Sequence, residues 1–399
     1  MRQGDTRSTV LSHNRRVSRR TLLRGAALGG SGLVGAYVVG CGDGDDEPAA
    51  TSTVAAPTAT QPAATPGSTF GWQQLSPAGS APARRRDHSL VAAASDKRQW
   101  LLLFGGVGSE GELADLWRYD ITGDEWTQLG DGGPSARHGH NAAWDGPTGR
   151  MLVFGGQSGN DFFNDLWQYE TETDTWTELS PAGPVPPTRY GAASARRPNP
   201  ADVTIVGTPE PPPTGADGLP GQFVVSHGFT NSGRLNDTWR YDIEAGVWSD
   251  ISPEGKRPVE RCLLRGVWDT IRDRLVVYGG QSTSELYLGD LWTLSPRGWS
   301  ELARLPSPGA RNLYAMAFSH ARLQALLFGG RTADGPMNDL WLFDAQNEFW
   351  TEADTFGGPP APRYSHDAAW AIESASLYVF GGTDGDSDLN DLWVVSSRN

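Results

Sequence analysis

Cysteine is nearly absent: two residues in 399, Cys41 and Cys262, so no disulfide framework can hold this chain together. Charged residues reach only 20%, and the Glu, Lys and Ala at 3.6-residue spacing that helices need are missing. No run of Lys and Arg offsets the formal net charge of −14. The first 40 residues hold seven of the 33 basic residues and one of the 47 acidic ones, so the remainder carries −20. A body of that sign repels phosphate backbones and anionic membrane surfaces, which argues against a nucleic-acid partner. A long apolar run is missing too. Gly25 to Gly40 is sixteen apolar or small residues with six glycines, too short for a spanning helix of roughly 20 residues.

Fifty glycines, 28 prolines and 16 tryptophans fill the space left by these absences. They suit many short strands joined by tight turns, and an all-β unit of this kind can exceed 250 residues as one domain.

The N-terminal segment reads as an address. Ser18-Arg19-Arg20-Thr21-Leu22-Leu23-Arg24 resembles the twin-arginine export signal, with Arg19 and Arg20 as its pair, followed by the short apolar stretch. Val38-Val39-Gly40-Cys41 resembles the bacterial lipobox, in which the cysteine is acylated after cleavage. The resemblance implies a signal peptide over residues 1–40 and a lipid on Cys41, anchoring the chain to the outer face of the cytoplasmic membrane, or to an outer membrane where there is one. Residues 41–69 are acidic and then rich in Ala, Thr and Pro, a composition expected to form a disordered tether.

From residue 70 onward the chain repeats. Strands ending in Gly-Gly close at Gly106, Gly156, Gly280, Gly330 and Gly382, with His227-Gly228 as a variant. Each is followed by an Asp and, two residues later, a Trp: Asp115/Trp117, Asp165/Trp167, Asp237/Trp239, Asp290/Trp292, Asp339/Trp341 and Asp391/Trp393. A second Trp follows five times, at Trp126, Trp176, Trp248, Trp299 and Trp350. The sixth is supplied by Phe70-Gly71-Trp72-Gln73-Gln74-Leu75 at the other end, so the first strand is expected to complete the last repeat and remove the open sheet edges.

Diglycine, spaced aromatics and a period of roughly 50 residues resemble the kelch repeat over residues 70–399. The resemblance implies a six-bladed β-propeller of four-stranded antiparallel blades around a central channel. The third repeat carries an insertion around Pro198 to Gly221 that departs from the pattern and is expected to be an exposed loop.

Framework residues must be subtracted before function is assigned. The paired repeat positions absorb most tryptophans, and Trp144, Trp268 and Trp370 share an inner-strand position with Phe318, so packing between blades accounts for nearly all of them without a sugar platform. Cys262 reads as a small buried core residue. An arginine opens each innermost strand, namely Arg85, Arg137, Arg189, Arg261, Arg311 and Arg363. Six guanidiniums at one mouth would suit a carboxylate or phosphate, while the structural alternative pairs each with an Asp or carbonyl of its own or a neighbouring blade. Three residues further lie His88, His140 and His366, in blades that closure makes consecutive, where the others have Ala192, Leu264 and Tyr314. They are candidates for a ligand site facing a common sector of the channel, or half-buried packing residues; no metal or cofactor is assigned. The loops after each diglycine differ most and form an acidic rim, in which Asp384 to Asp388 only weakly resembles a calcium loop.

No catalytic set stands out. The expected function is a membrane-tethered, monomeric binding module for an extracytoplasmic protein or glycan. The alternative, drawn from a six-bladed sialic-acid epimerase in the resembled family, is an enzyme acting on a small anionic sugar at the channel mouth. Galactose-oxidase-like copper chemistry is not expected: those relatives have seven blades and a cross-linked Cys-Tyr pair with His ligands, whereas Cys262 has no evident Tyr partner and no suitable ligand set is apparent.

Overall fold

The computed structural model describes residues 70–95, 98–198, 221–302 and 305–397. The export signal with Arg19 and Arg20, Cys41, the tether and the interior of the insertion lie outside the described residues.

The described chain is all β-structure apart from one 3-10 turn at Gly146–Thr148. In the first blade the strands run Ser89–Ser95, Arg98–Phe104, Leu116–Asp120 and Glu125–Gln128, each antiparallel to the next, from the channel outward. The innermost strands of the other blades are Asn141–Asp145, Ala193–Arg197, Arg265–Asp269, Ala315–Ser319 and Asp367–Ala371. The third and fourth blades are bridged by the two-residue strand Arg261–Cys262, which joins them into one nine-stranded hydrogen-bonded sheet.

Closure follows the register expected from the sequence. Phe70–Leu75 pairs antiparallel with Leu392–Ser397, from Phe70 opposite Ser397 to Leu75 opposite Leu392, and so becomes the outermost strand of the last blade. The core confirms the count. Its buried side chains fall into six clusters, each shared by two consecutive blades, including the last and the first. The second Trp of each repeat inserts toward the preceding blade: Trp126 against Phe380 at 5.4 Å, Trp176 against Phe104 at 5.2 Å, Trp72 against Phe328 at 4.8 Å between ring centroids. Ring pairs of this kind add about 0.5–1.5 kcal/mol beyond the area they bury.

The diglycines turn the chain at the end of each second strand. At Gly106 φ is +97°, and a Cβ there would stand 2.8 Å from the Arg86 carbonyl oxygen and from His88 Cβ, so only glycine fits. The third blade accepts His227 at the first of the two positions, with φ +63°.

A belt of backbone hydrogen bonds encircles one end of the channel. Two residues after each repeated arginine, Asp87, Gly139, Gly191, Leu263, Leu313 and Ser365 all take φ between +53° and +60°. Each donates its N–H to the carbonyl of its counterpart in the preceding blade, at 2.7–3.1 Å, and Asp87 closes the circle on Ser365. Six residues of four types, as different as Asp and Leu, share one backbone conformation, because the conformation is set by the ring and not by the side chain.

Candidate functional site

The arginines do not open the inner strands. Each stands four residues ahead, Arg85 before Ser89 and Arg363 before Asp367, and each points into its own blade. Arg85, Arg137, Arg189, Arg261, Arg311 and Arg363 are at most 1% exposed. Their Nη1 and Nη2 donate side by side to Asp115, Asp165, Asp237, Asp290, Asp339 and Asp391, at 2.6–3.0 Å. Nη1 also donates to the carbonyl of the first diglycine residue, as Arg85 does to Gly105 at 3.0 Å. The Trp two residues after each Asp completes the unit by donating its indole N–H to Oδ2, at 2.6 Å for Trp117. This clamp holds the carboxyls of Asp115, Asp290 and Asp391 below the usual carboxylate range against the opposing effect of burial. A guanidinium so committed has no free face for an anion, and the pairing within each blade replaces the cationic ring at the mouth.

The three histidines are also buried, and each faces the preceding blade. His88 lies edge-on to Phe380 at 5.5 Å, His140 to Phe104 at 5.2 Å and His366 to Phe328 at 5.3 Å. His140 Nε2 bonds Ser89 Oγ at 2.9 Å, His366 Nε2 bonds the Phe328 carbonyl at 3.1 Å, and neither ring nitrogen of His88 has a partner among the described residues. Among those residues no group of three or more His, Cys, Asp and Glu side chains is arranged to hold a metal. Burial keeps all three imidazoles neutral, with His366 lowered to about 3. In the rim loop, Asp384 Oδ1 accepts the N–H groups of Asp386 and Ser387, while Asp388 pairs with Arg86 at 2.6 Å.

The variable groups at this mouth sit between the clamp and the belt. The residue directly after each repeated arginine is Arg86, His138, Tyr190, Cys262, Asn312 or Tyr364, different in nearly every blade on one shared backbone. Each pairs through its main chain with the residue following the diglycine, as His138 does with Gln157 and Tyr364 with Thr383. Sequence reasoning passed over this position because it does not repeat, and the lack of repetition beside an invariant arginine is the signal that would have found it. His138 rests edge-on to Tyr190 at 5.3 Å with Glu112 3.7 Å away, and Arg331 covers Tyr364 at 5.2 Å. Cys262 is buried, and burial raises its thiol.

Below the belt the first inner-strand positions are Ser89, Asn141, Ala193, Arg265, Ala315 and Asp367. Arg265 stands at one of these positions, outside the clamp: its side chain is 25% exposed and pairs with Asp367 at 3.7 Å. Burial raises the carboxyls of Asp367 and of Asp87.

The neutral histidines give the fold a pH dependence. Their folded values lie below the ordinary 6.5, so as pH falls through 6.5 the unfolded chain takes up protons that the folded one refuses, and stability is lost from there down to about pH 3 for His366. His88→Leu, which imitates Leu264, removes one such proton and forfeits no hydrogen bond. Denaturation measured between pH 6.5 and 4 is expected to show a slope shallower than wild type by up to about 1.4 kcal/mol per pH unit.

Comparison with known proteins agrees with this architecture. A family model described as the KLHDC2/KLHL20/DRC7 Kelch-repeats domain matches residues 64–267 and 219–399. Acyl-CoA-binding domain-containing protein 5 of Arabidopsis thaliana is 29% identical over 159 residues, 39% of this chain and 24% of that protein. Rab9 effector protein with kelch motifs of Mus musculus is 27% identical over 193 residues, 45% of this chain and 48% of that protein. Tip elongation aberrant protein 1 of Schizosaccharomyces pombe is 28% identical over 191 residues, 44% of this chain and 16% of that protein. The match thus spans half or less of each relative. With the family model covering residues 64–399, six clamped blades and a ring closed by its own first strand, the chain belongs to the kelch-repeat family of β-propellers.

Proposed function

We propose that this chain is an exported, lipid-tethered kelch propeller that works as a non-enzymatic binding module, presenting its mouth and rim loops to an extracytoplasmic protein. Kelch propellers are commonly protein-interaction modules. The observation that carries the reading is the contrast between two adjacent positions: an arginine spent wholly inside every blade, then a residue that changes from blade to blade on a fixed backbone. Such an arrangement keeps the scaffold constant while specificity varies. Arginine and tyrosine, here Arg331 over Tyr364, are among the residue types that most often carry binding energy at protein interfaces.

Affinity capture from solubilised cell envelope with the full chain, compared with the double variant Arg331→Ala, Tyr364→Ala, tests this. The partner captured by the wild type is expected to be retained at least about tenfold less by the variant; equal retention defeats the reading. The tether is tested separately. Cys41→Ser is expected to move the protein from the membrane pellet to the soluble fraction, and unchanged sedimentation rules out the lipid.

One observation favours a second reading, an enzyme or receptor for a small anionic sugar. Arg265 offers a channel cation outside the clamp pattern, with Asp87 and Asp367 nearby as carboxyls that burial raises. On that reading sialic acid at 100 times its dissociation constant stabilises the full chain by roughly 2.7 kcal/mol, and Arg265→Ala abolishes the stabilisation. No stabilisation of the wild type sets the reading aside.

A further inference from the structure

At the end of the channel opposite the belt, where the inner strands finish, lies a cavity of about 630 Å³, within the range of small-molecule sites. Its walls come from the fourth position of the inner strands, where Trp144, Phe318 and Trp370 supply three aromatic rings and Ala92 leaves room between them. Trp268 holds the equivalent position but is drawn away, its indole N–H donating to Asp273 at 3.0 Å. The indole N–H groups of Trp144 and Trp370 have no protein acceptor among the described residues. Packing between blades, which accounts for the repeated tryptophans, therefore leaves these two donors unused.

The charge at this wall is already matched. Arg196 Nε and Nη2 reach Asp145 Oδ1 at 2.7 and 2.6 Å, and Asp145 is buried. His320 lies edge-on to Phe318 at 5.3 Å with Nδ1 3.3 Å from Thr270 Oγ1, and burial together with Arg196 lowers it to about 4, so it is neutral. An ion would find no unmatched counter-charge here, and a purely apolar molecule would leave the two indole N–H groups without partners. A ligand with apolar C–H faces and hydroxyl acceptors satisfies both.

We propose that this cavity binds a neutral saccharide, its ring faces against Trp144, Phe318 and Trp370 and its hydroxyls on the indole N–H groups. The site is separate from the mouth, so it stands or falls independently of the protein-binding function. Saturation-transfer NMR on the full chain tests it with glucose, galactose, N-acetylglucosamine, cellobiose and maltose, and with glucuronic acid as the anionic control. At least one neutral saccharide is expected to receive saturation at its ring C–H protons. Ala92→Trp, which fills the cavity, is expected to abolish the signal, and Trp144→Phe, which keeps a ring and removes the donor, to weaken binding about tenfold. Capture of the mouth's partner stays as in wild type. The proposal is overturned if no neutral saccharide is saturated, if glucuronic acid binds more tightly than the neutral sugars, or if both variants bind as wild type does; should Ala92→Trp not fold, Trp144→Phe alone decides.

Discussion

The structure rests on one ion pair made six times. A guanidinium buried in each blade binds its carboxylate through two parallel hydrogen bonds, and the same group holds the carbonyl at the diglycine turn, so one side chain ties the entry to the innermost strand, the end of the second strand and the start of the third. Neither charge would be tolerable alone. A buried pair broken by loss of one partner costs about 3–5 kcal/mol, because the survivor is stranded away from water. The Trp indole that donates to the same carboxylate joins the clamp to the aromatic packing between blades. Diglycine, Asp-x-Trp and the upstream Arg are therefore one device distributed along the sequence, which explains why they recur in phase.

The fold was legible for the same reason. A device that must be rebuilt in every blade leaves a periodic trace, and the displaced Trp72 showed which strand closes the ring. The arginines were found with two directions open, a ring at the mouth or a pairing with an Asp in the blade, since spacing gives their position in the repeat and says nothing about direction; the structure takes the second. Their presence in every blade was itself the argument for a framework role. The three histidines illustrate a different limit. Ala192, Leu264 and Tyr314 occupy the same position, and only the neighbouring blade's Phe shows that each is a spacer against a ring.

The belt was illegible because no residue type marks it. Asp, Gly, Leu and Ser all serve, and the left-handed backbone they share costs a non-glycine residue roughly 1–2 kcal/mol that the ring supplies. The same applies to the two variable positions that flank it and to the cavity at the far end, where Trp144 and Trp268 look equivalent in sequence and differ in whether the indole N–H is spent. What varies between blades becomes interpretable only after the constant part has been placed in space.

The belt also bears on how such a protein comes apart. Helices and open sheets have ends, with donors and acceptors left over where fraying begins. Here every N–H in the circle points the same way around it, and Asp87 returns the last bond to Ser365, so no terminal group remains. Opening any one of these bonds requires two packed blades to part together, and the resistance is a matter of rate as much as of equilibrium. The blades of such a ring are accordingly expected to yield to a protease only as fast as the ring itself opens, and not strand by strand.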